Sequence, residues 1–342
     1  MALPHDSAIP GFDIRHSAMP GITVIIPTWN RADLLRSVLE NLRQQTMSPA
    51  QTLVVDNGSV DGTAGVAARL GSERIALDRN LGFAAAVNAG ISAAKHEWIL
   101  ILNNDVELQP DWLECALEAA NQGGVQFVAG KILQAHAPER LDGTWDLVTR
   151  SGCAWRCGWN ALDGPAWSVR RPIEIAPMTA TMFHRAVFER AGLVDVRYES
   201  YYEDVDFGLR CALAGLTGVY EPRCVARHMG SATLNSDGRM TYFVSRNQVL
   251  LAAKFQLSQL SRRAVWLGQA FALLPPIRTG HLLSALKGKR DGIRMAKRLA
   301  VERVDRARLQ ALLVRNEEEL RGFQEKLGFD LSWKLYFGLA GR

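Results

Sequence analysis

Along the first 110 or so residues, short continuous apolar runs alternate with stretches in which apolar side chains recur every three or four positions. Ile22 to Pro27 (ITVIIP) reads as a strand, and Leu34, Leu35, Val38, Leu39 and Leu42 then share one face of a helix. TLVVDNGS predicts the next strand, DGTAGVAARLG a short helix ending at Gly71, and RIALD a third strand. GFAAAVNAGISAA reads as an alanine-rich helix and WILILNND as a fourth strand. In the last, Ile99 to Leu102 form an unbroken apolar run closed by turn residues, the mark of a strand buried on both faces. Strand, helix, strand at this spacing predicts parallel βαβ units with right-handed crossovers.

From about Gly123 to Arg185 the periodicity fails, and Trp145, Trp155, Trp159 and Trp167 lie among Gly, Pro and Arg. Order returns with AVFERAGLVD, a helix with Gly192 near its end, and with EDVDFGLRCALAG. There Val205, Leu209, Ala212 and Leu213 form an apolar stripe that Gly215 stops. Beyond about residue 240 the pattern is helical to the end. Residues 1–20 read as a loose arm.

Length and composition allow a full core: 342 residues, 48% hydrophobic and 22% charged. Two units, or one large α/β domain with an appendage, are expected. A net charge of +5 favours anionic ligands or an anionic surface without implying nucleic acid. The five cysteines, Cys115, Cys153, Cys157, Cys211 and Cys224, are odd in number and scattered, which fits reduced thiols in a cytosolic protein. The N-terminus carries no signal-peptide pattern, and the apolar run Ala264 to Ile277 is too short to span a bilayer and contains Pro275 and Pro276. A cytoplasmic chain is expected, with peripheral attachment to the inner face of the membrane left open.

In an open parallel sheet, ligands bind beyond the carboxyl ends of the strands. Three such ends carry polar residues: Thr28, Asn30 and Arg31; then Asp56, Asn57, Gly58, Ser59 and Asp61; then Asn103, Asn104 and Asp105. Any one of them alone reads equally as a turn or helix cap, because turns use Asn, Asp and Gly. Three together point to one polar crevice. Neither G-x-G-x-x-G nor G-x-x-x-x-G-K-[ST] is present, so a bound phosphate needs another neutralising group. A Mg²⁺ or Mn²⁺ ion held by a strand-end carboxylate would supply it.

VIIPTWNR, VVDNGSVDGT, NLGFAAAVNAGI, ILILNNDVEL, YYEDVDFGLR and RHMGSA, in that order, resemble the family 2 glycosyltransferases, and most of all their bacterial rhamnosyltransferase-like branch. The resemblance runs from about Gly21 to Asn247. It implies an α/β GT-A fold, the nucleotide-diphospho-sugar transferase fold, with a mostly parallel sheet flanked by helices. Residues 21–122 would form the nucleotide-sugar-binding half of the catalytic domain and 123–247 the acceptor half. A helical C-terminal region would follow at 248–342.

The resemblance also implies roles. Asp56 would contact the nucleobase with Thr28 beside it, and Asn30, Arg31 and Asn80 would line the nucleotide-sugar site. The family's D-x-D motif reads Asn103-Asn104-Asp105 here, which leaves Asp105 as the acidic metal ligand and Asn103 as a partner for a ribose hydroxyl. His228 would complete the metal site, Asp204 would be the catalytic base, and Arg246 would neutralise the leaving diphosphate. Plain readings stand beside these: Asp204 as a helix cap, His228 as a structural histidine, Arg246 as a solvated helix charge, and the tryptophans as core.

The implied partners are a dTDP- or UDP-linked sugar, with dTDP-rhamnose favoured, and a glycan or lipid-linked glycan acceptor. A homo-oligomer is left open, and nucleic acid is not expected. The rival enzyme class, a sugar nucleotidyltransferase, wants a Gly-rich basic loop where PTWNRADLL stands. A nucleotide-sugar-binding protein without turnover is the rival of another kind. Finally, Val265, Trp266, Leu267, Phe271, Leu273 and Leu274 precede a run with seven Lys or Arg against Asp291 between Arg278 and Arg298. An apolar segment beside a basic one is the pattern of a helix lying in a membrane interface.

Overall fold

The computed structural model describes residues 19–230 and 238–340. The arm expected at 1–20 lies outside them up to residue 18, as do Ser231 and Ala232 of the RHMGSA motif.

The first half follows the alternation in the sequence. Strand β1 (Met19–Thr28), helix α1 (Ala32–Arg43), β2 (Gln51–Asp56), α2 (Thr63–Arg69), β3 (Glu73–Ala76), α3 (Phe83–Ala93) and β4 (His96–Leu102) appear in that order. β1, β2, β3 and β4 are parallel where they pair, with β1 between β4 and β2. Their core faces are aliphatic. Val24, Ile26, Val54, Leu100 and Leu102 pack with Leu35, Val38, Leu39 and Leu42 of α1. On α3 Gly90 has a steric purpose, since a Cβ added there would lie 2.3 Å from Ile25 Cγ2. Small residues let this helix lie close against β1.

Beyond β4 the chain adds β5 (Val106–Leu108), α4 (Trp112–Gly123), β6 (Phe127–Gln134), β7 (Ala137–Gly143), β8 (Asp146–Val148), β9 (Ala154–Arg156), β10 (Arg171–Ile173), β11 (Ala180–His184), α5 (Ala186–Ala191), α6 (Glu203–Leu213) and β12 (Gly218–His228). The large sheet has the order β10-β12-β6-β11-β4-β1-β2-β3, with β5 paired to β12 and β7 to β6. β11 runs antiparallel between β4 and β6, so the sheet is mixed past β4. The stretch from 123 to 185, where periodicity fails, therefore holds six strands (β6–β11). Four of them have three to five residues, too few to display alternation.

Two irregularities of register matter for the site. β12 slips against β6 between Glu221 and Val225, around Pro222, which cannot donate to a ladder. β7 slips against β6 so that Ile132 faces Gly143 while Leu133 faces Leu141, which leaves Asp142 as an extra residue in a bulge.

The chain divides into two compact units. Among the described residues, one comprises 19–145 and 158–230, and the other 146–157 and 238–340. The second unit consists of the β8–β9 hairpin and helices α7 (Arg239–Lys254), α8 (Arg262–Phe271), α9 (Leu274–Arg278), α10 (Leu282–Ala296), α11 (Arg306–Leu327) and α12 (Leu331–Ala340). Position 247, the expected end of the catalytic domain, falls inside α7. Arg150 in the hairpin holds Glu317 of α11 through its backbone N–H (2.8 Å) and its guanidinium (Nε at 2.8 Å, Nη2 at 2.7 Å). Tyr336 of α12 donates to the same carboxylate at 2.6 Å. Among the described residues no helix is long and apolar enough to cross a membrane.

Candidate active site

Parallel pairing brings the carboxyl ends of β1, β2 and β4 to one edge, with Thr28 opposite Asp56 in register. Hydrogen bonds then tie the three ends together. Asn104 Nδ2 donates to Thr28 Oγ1 at 2.9 Å. The Asn30 N–H donates to Ser59 Oγ (2.9 Å), and Asn30 Oδ1 accepts from the Val60 N–H (2.8 Å). Asn30 does so at φ 51, a left-handed conformation that asparagine tolerates better than most residues. Asp61 has the capping role: it accepts from Thr63 N and Oγ1 at the start of α2 and from Ala32 N at the start of α1.

Asp56 is buried, and its two oxygens are both engaged. Oδ1 accepts from the Ser59 N–H at 2.9 Å, and Oδ2 meets Arg74 Nη1 at 2.7 Å. Arg74, on β3, was not among the expected site residues. Asn80 braces the turn before α3, accepting from Asn57 Nδ2 and from the Gly82 N–H. Arg31 forms a fork to Asp33 at 3.1 and 3.0 Å. Its pKa is raised first by that hydrogen bond and also by the field of Asp105.

Asn103 anchors its backbone N–H on Thr179 O at 2.9 Å, while its side-chain Oδ1 is buried with no hydrogen-bond partner among the described residues. Asp105 is buried as well. Antiparallel pairing of β5 with the end of β12, with Val106 facing His228, sets His228 beside it. His228 Nε2 lies 3.2 Å from Asp105 Oδ1, and Nδ1 lies 2.9 Å from Asp142 Oδ2. Burial alone would lower the imidazole pKa, but the two carboxylates outweigh it and raise it to about 9. Both ring nitrogens therefore carry protons at neutral pH and donate.

This arrangement has a consequence for stability. A folded-state pKa above the ordinary value of about 6.5 means that the contact stabilises fully below about pH 6.5 and is lost as pH rises through about 9. The difference in unfolding free energy between the metal-free wild type and His228→Asn should shrink by about 2–3 kcal/mol across that window. Denaturant melts at pH 6 and pH 9.5 measure it; a constant difference would mean that the histidine is neutral throughout.

Asp204 is the second residue of α6, after the N-cap residue Tyr202. Of the first-turn acids Glu203, Asp204 and Asp206, only Asp204 is not fully buried. Asp206 anchors the helix, accepting from Tyr198 Oη (3.2 Å) and Arg210 Nε (3.0 Å). Asp204 Oδ1 accepts from the Val205 N–H at 2.8 Å. The loop leading in is strained, because Glu199, Tyr201 and Tyr202 all have positive φ, at 61, 64 and 71°. Glu199 O accepts from the Ala84 N–H at 3.2 Å. Gly82, at φ +88, leaves no room there for a Cβ, which would lie 2.8 Å from that carbonyl. The loop that delivers Asp204 is thus fastened to the start of α3, beside the Asn80 turn.

Arg246 lies in the second unit, on α7. It is buried, stacks over Phe243 at 4.8 Å, and donates from Nε to Asn247 Oδ1 at 2.9 Å, so it is not a solvated helix charge. Trp145 and Trp167 are core residues with ring centroids 5.9 Å apart, whereas Trp159 is 63% exposed. All five cysteines are buried. No group of three or more His, Cys, Asp or Glu able to hold a metal ion by itself occurs among the described residues.

The fold and the clustered strand ends define a GT-A nucleotide-sugar transferase architecture. In solved structures, a similar fold occurs in the mannosyltransferase PcManGT from Pyrobaculum calidifontis in complex with GDP-Man and Mn²⁺ (TM-score 0.52, 17% identity, 98% of this chain and 89% of that one). It occurs also in GalNAc-T7 with UDP, GalNAc and Mn²⁺ (TM-score 0.58, 12% identity, 93% and 56%). Residues 23–159 match the family described as Glycosyl transferase family 2. The PGL/p-HBAD biosynthesis glycosyltransferase of Mycobacterium bovis is 30% identical over 206 residues, 57% of this chain and 70% of that protein. The chain belongs to glycosyltransferase family 2.

Among other relatives, the N-acetylglucosaminyl-diphospho-decaprenol L-rhamnosyltransferase of Mycobacterium tuberculosis is 26% identical over 236 residues, 60% of this chain and 75% of that one. The succinoglycan biosynthesis protein ExoO of Rhizobium meliloti is 34% identical over 117 residues. That match spans 33% of this chain and 34% of that protein.

Proposed function

We propose that the protein is an inverting glycosyltransferase of bacterial surface polysaccharide assembly. It moves a sugar from a nucleoside-diphosphate donor to a glycan or lipid-linked glycan acceptor. The observation that carries this reading is the convergence of Thr28, Asp56, Asn103 and Asp105 on one sheet edge, with His228 brought to Asp105 by the end of β12. As donor we favour dTDP-rhamnose over a UDP-hexose, on the resemblance of the sequence motifs to the rhamnosyltransferase-like branch. A lipid-linked acceptor would place the enzyme at the inner face of the cell membrane.

Asp56 and Thr28 take the nucleobase side, with Asn30, Arg31 and Asn80 shaping the adjoining turns. The orphaned Oδ1 of Asn103 suits a ribose hydroxyl donor, which would satisfy a buried acceptor. Asp204 accepts the proton of an acceptor hydroxyl. The acceptor oxygen forms its bond to the anomeric carbon from the face opposite the diphosphate. The carbon–oxygen bond to the donor breaks, and its electron pair leaves on the diphosphate.

The donor set fits Mg²⁺ or Mn²⁺. Asp105 Oδ1 and His228 Nε2 lie 3.2 Å apart, close to the ~3 Å between neighbouring ligands of an octahedron with ~2.1 Å bonds. Two protein donors with the remaining positions left to substrate phosphates and water is the usual way such ions are held at phosphate sites. A bound ion would neutralise charge developing on the departing diphosphate. His228 must first shed a proton, and Asp142, on its far nitrogen, can keep the ring oriented.

Asn103, an amide where the family has a carboxylate, favours one other reading: a nucleotide-sugar-binding protein without turnover. Thermal-shift screening against nucleotide sugars with Mn²⁺ or Mg²⁺, followed by an assay of nucleoside diphosphate release with acceptor, separates the two. Stabilisation and acceptor-dependent release with dTDP-rhamnose are expected. Stabilisation without release from any donor would favour the binding protein.

A further inference from the structure

Helix α10 sits against α7 through a stripe of small residues. A Cβ at Gly288 would lie 2.3 Å from Tyr242 O, one at Gly292 would lie 2.6 Å from Arg246 O, and Ala285 is buried beside them. That contact leaves no freedom in which face of α10 points outward. The outward face is unusual for a surface helix. Leu283 is 82% exposed, Ile293 54% and Leu286 45%, interleaved with exposed Lys287, Arg290 and Arg294. At 100° per residue these six side chains fall within an arc of about 120°, opposite the small-residue stripe. Asp291 is the only acid between Arg278 and Arg298, and it pairs with Arg290 (3.2 Å) and Arg294 (3.4 Å).

The apolar stretch that looked interfacial in the sequence is a different one. Val265, Leu267, Phe271, Leu273 and Leu274 are half-buried within the helical unit, and only Trp266 of that stretch is largely exposed. The two prolines, rather than breaking the pattern, open α9, where a missing N–H costs nothing.

We infer that the outward face of α10 is a docking surface for an anionic lipid bilayer. Aliphatic side chains enter the boundary between headgroups and acyl chains, and the flanking cations meet lipid phosphates. Charge decides among possible occupants. A two-fold dimer through this face would set the same cations against each other, because a two-fold interface joins identical patches. Nucleic acid would leave three aliphatic side chains against a phosphate backbone. A bilayer with anionic headgroups takes both kinds of side chain. The inference rests on the lipid-linked acceptor reading only for its purpose; the binding is a property of this helix.

The test is flotation of the full chain with vesicles of phosphatidylcholine, with and without phosphatidylglycerol. Binding is expected only with the anionic lipid, weakening as salt rises. Each cation removed should cost about fivefold in partitioning, so the exposed triple variant K287S/R290S/R294S should lose on the order of 100-fold. Leu283→Asp with Ile293→Asp should abolish binding even at low salt. Both variants should release nucleoside diphosphate from a soluble acceptor reaction as the wild type does, so a failed glycosyltransferase reading and a failed docking surface give separate signals. Three results would each overturn the proposal: no binding of the wild type at low salt, equal binding by both variants, or a wild-type dimer that Leu283→Asp dissociates.

Discussion

Asp204→Asn should lower glycosyl transfer by about 10²–10⁴-fold, the span of general-base contributions, while nucleotide-sugar affinity stays within a few-fold of wild type. The expectation follows from how α6 is held. Asp206, Tyr198 and Arg210 fix the helix without help from Asp204, so the amide changes basicity but not position. The amide oxygen can still accept from the Val205 N–H, which preserves the local turn. A single-turnover measurement with saturating donor reads the chemical step directly. Transfer above about a tenth of the wild-type rate would assign the proton to another group.

Asp105→Ala should remove cation-dependent donor binding, a loss on the order of 100-fold or more, since an ion at a phosphate contributes several kcal/mol. Asp105 is the only carboxylate of the Asn103-Asn104-Asp105 turn, so the alanine leaves no acidic ligand there. Asn103→Asp should be tolerated, or should tighten cation affinity by restoring a second carboxylate. Calorimetric titration of donor with and without Mn²⁺ measures both variants. Unchanged cation dependence in Asp105→Ala would locate the ion elsewhere or show that the reaction proceeds without one.

The parts of this protein legible in its sequence are those that repeat a local rule over enough residues. β1 carries the apolar run Val24 to Ile26 and β4 ends in the apolar run Trp98 to Leu102, and α1 places its five leucine and valine positions at helical spacing, so their existence and order followed from pattern alone. Asn104 and Thr28 were both visible as polar strand ends, and the structure joins them by a hydrogen bond. Asp142 gave no such sign. It lies in a short antiparallel strand and gains its meaning from a one-residue bulge and from a histidine 86 positions later. Arg74 likewise occupies a four-residue strand with mostly exposed positions, and only the pairing of β3 with β2 takes it to Asp56. At α10 the periodicity predicted a helix, but which face is covered depended on Gly288 and Gly292 meeting α7, a fact of packing that no local pattern records.

The hairpin of β8 and β9 bears on the order in which the polypeptide is completed. Arg150 leaves the ribosome long before its partner, because Glu317 follows 167 positions later and Tyr336 later still. Until those last helices exist, the hairpin lacks the carboxylate and the phenol that complete its contacts, and closure across so long a loop is slow. A ribosome that stalls or terminates before α11 therefore leaves more than a missing tail. It leaves a hairpin that α8 still holds, through Gln269 Nε2 on Ser151 O at 3.1 Å, but whose Arg150 has no carboxylate to meet. Such unfinished chains would carry Arg150 without its ion pair, and only synthesis of the final helices supplies Glu317 and Tyr336 to close it.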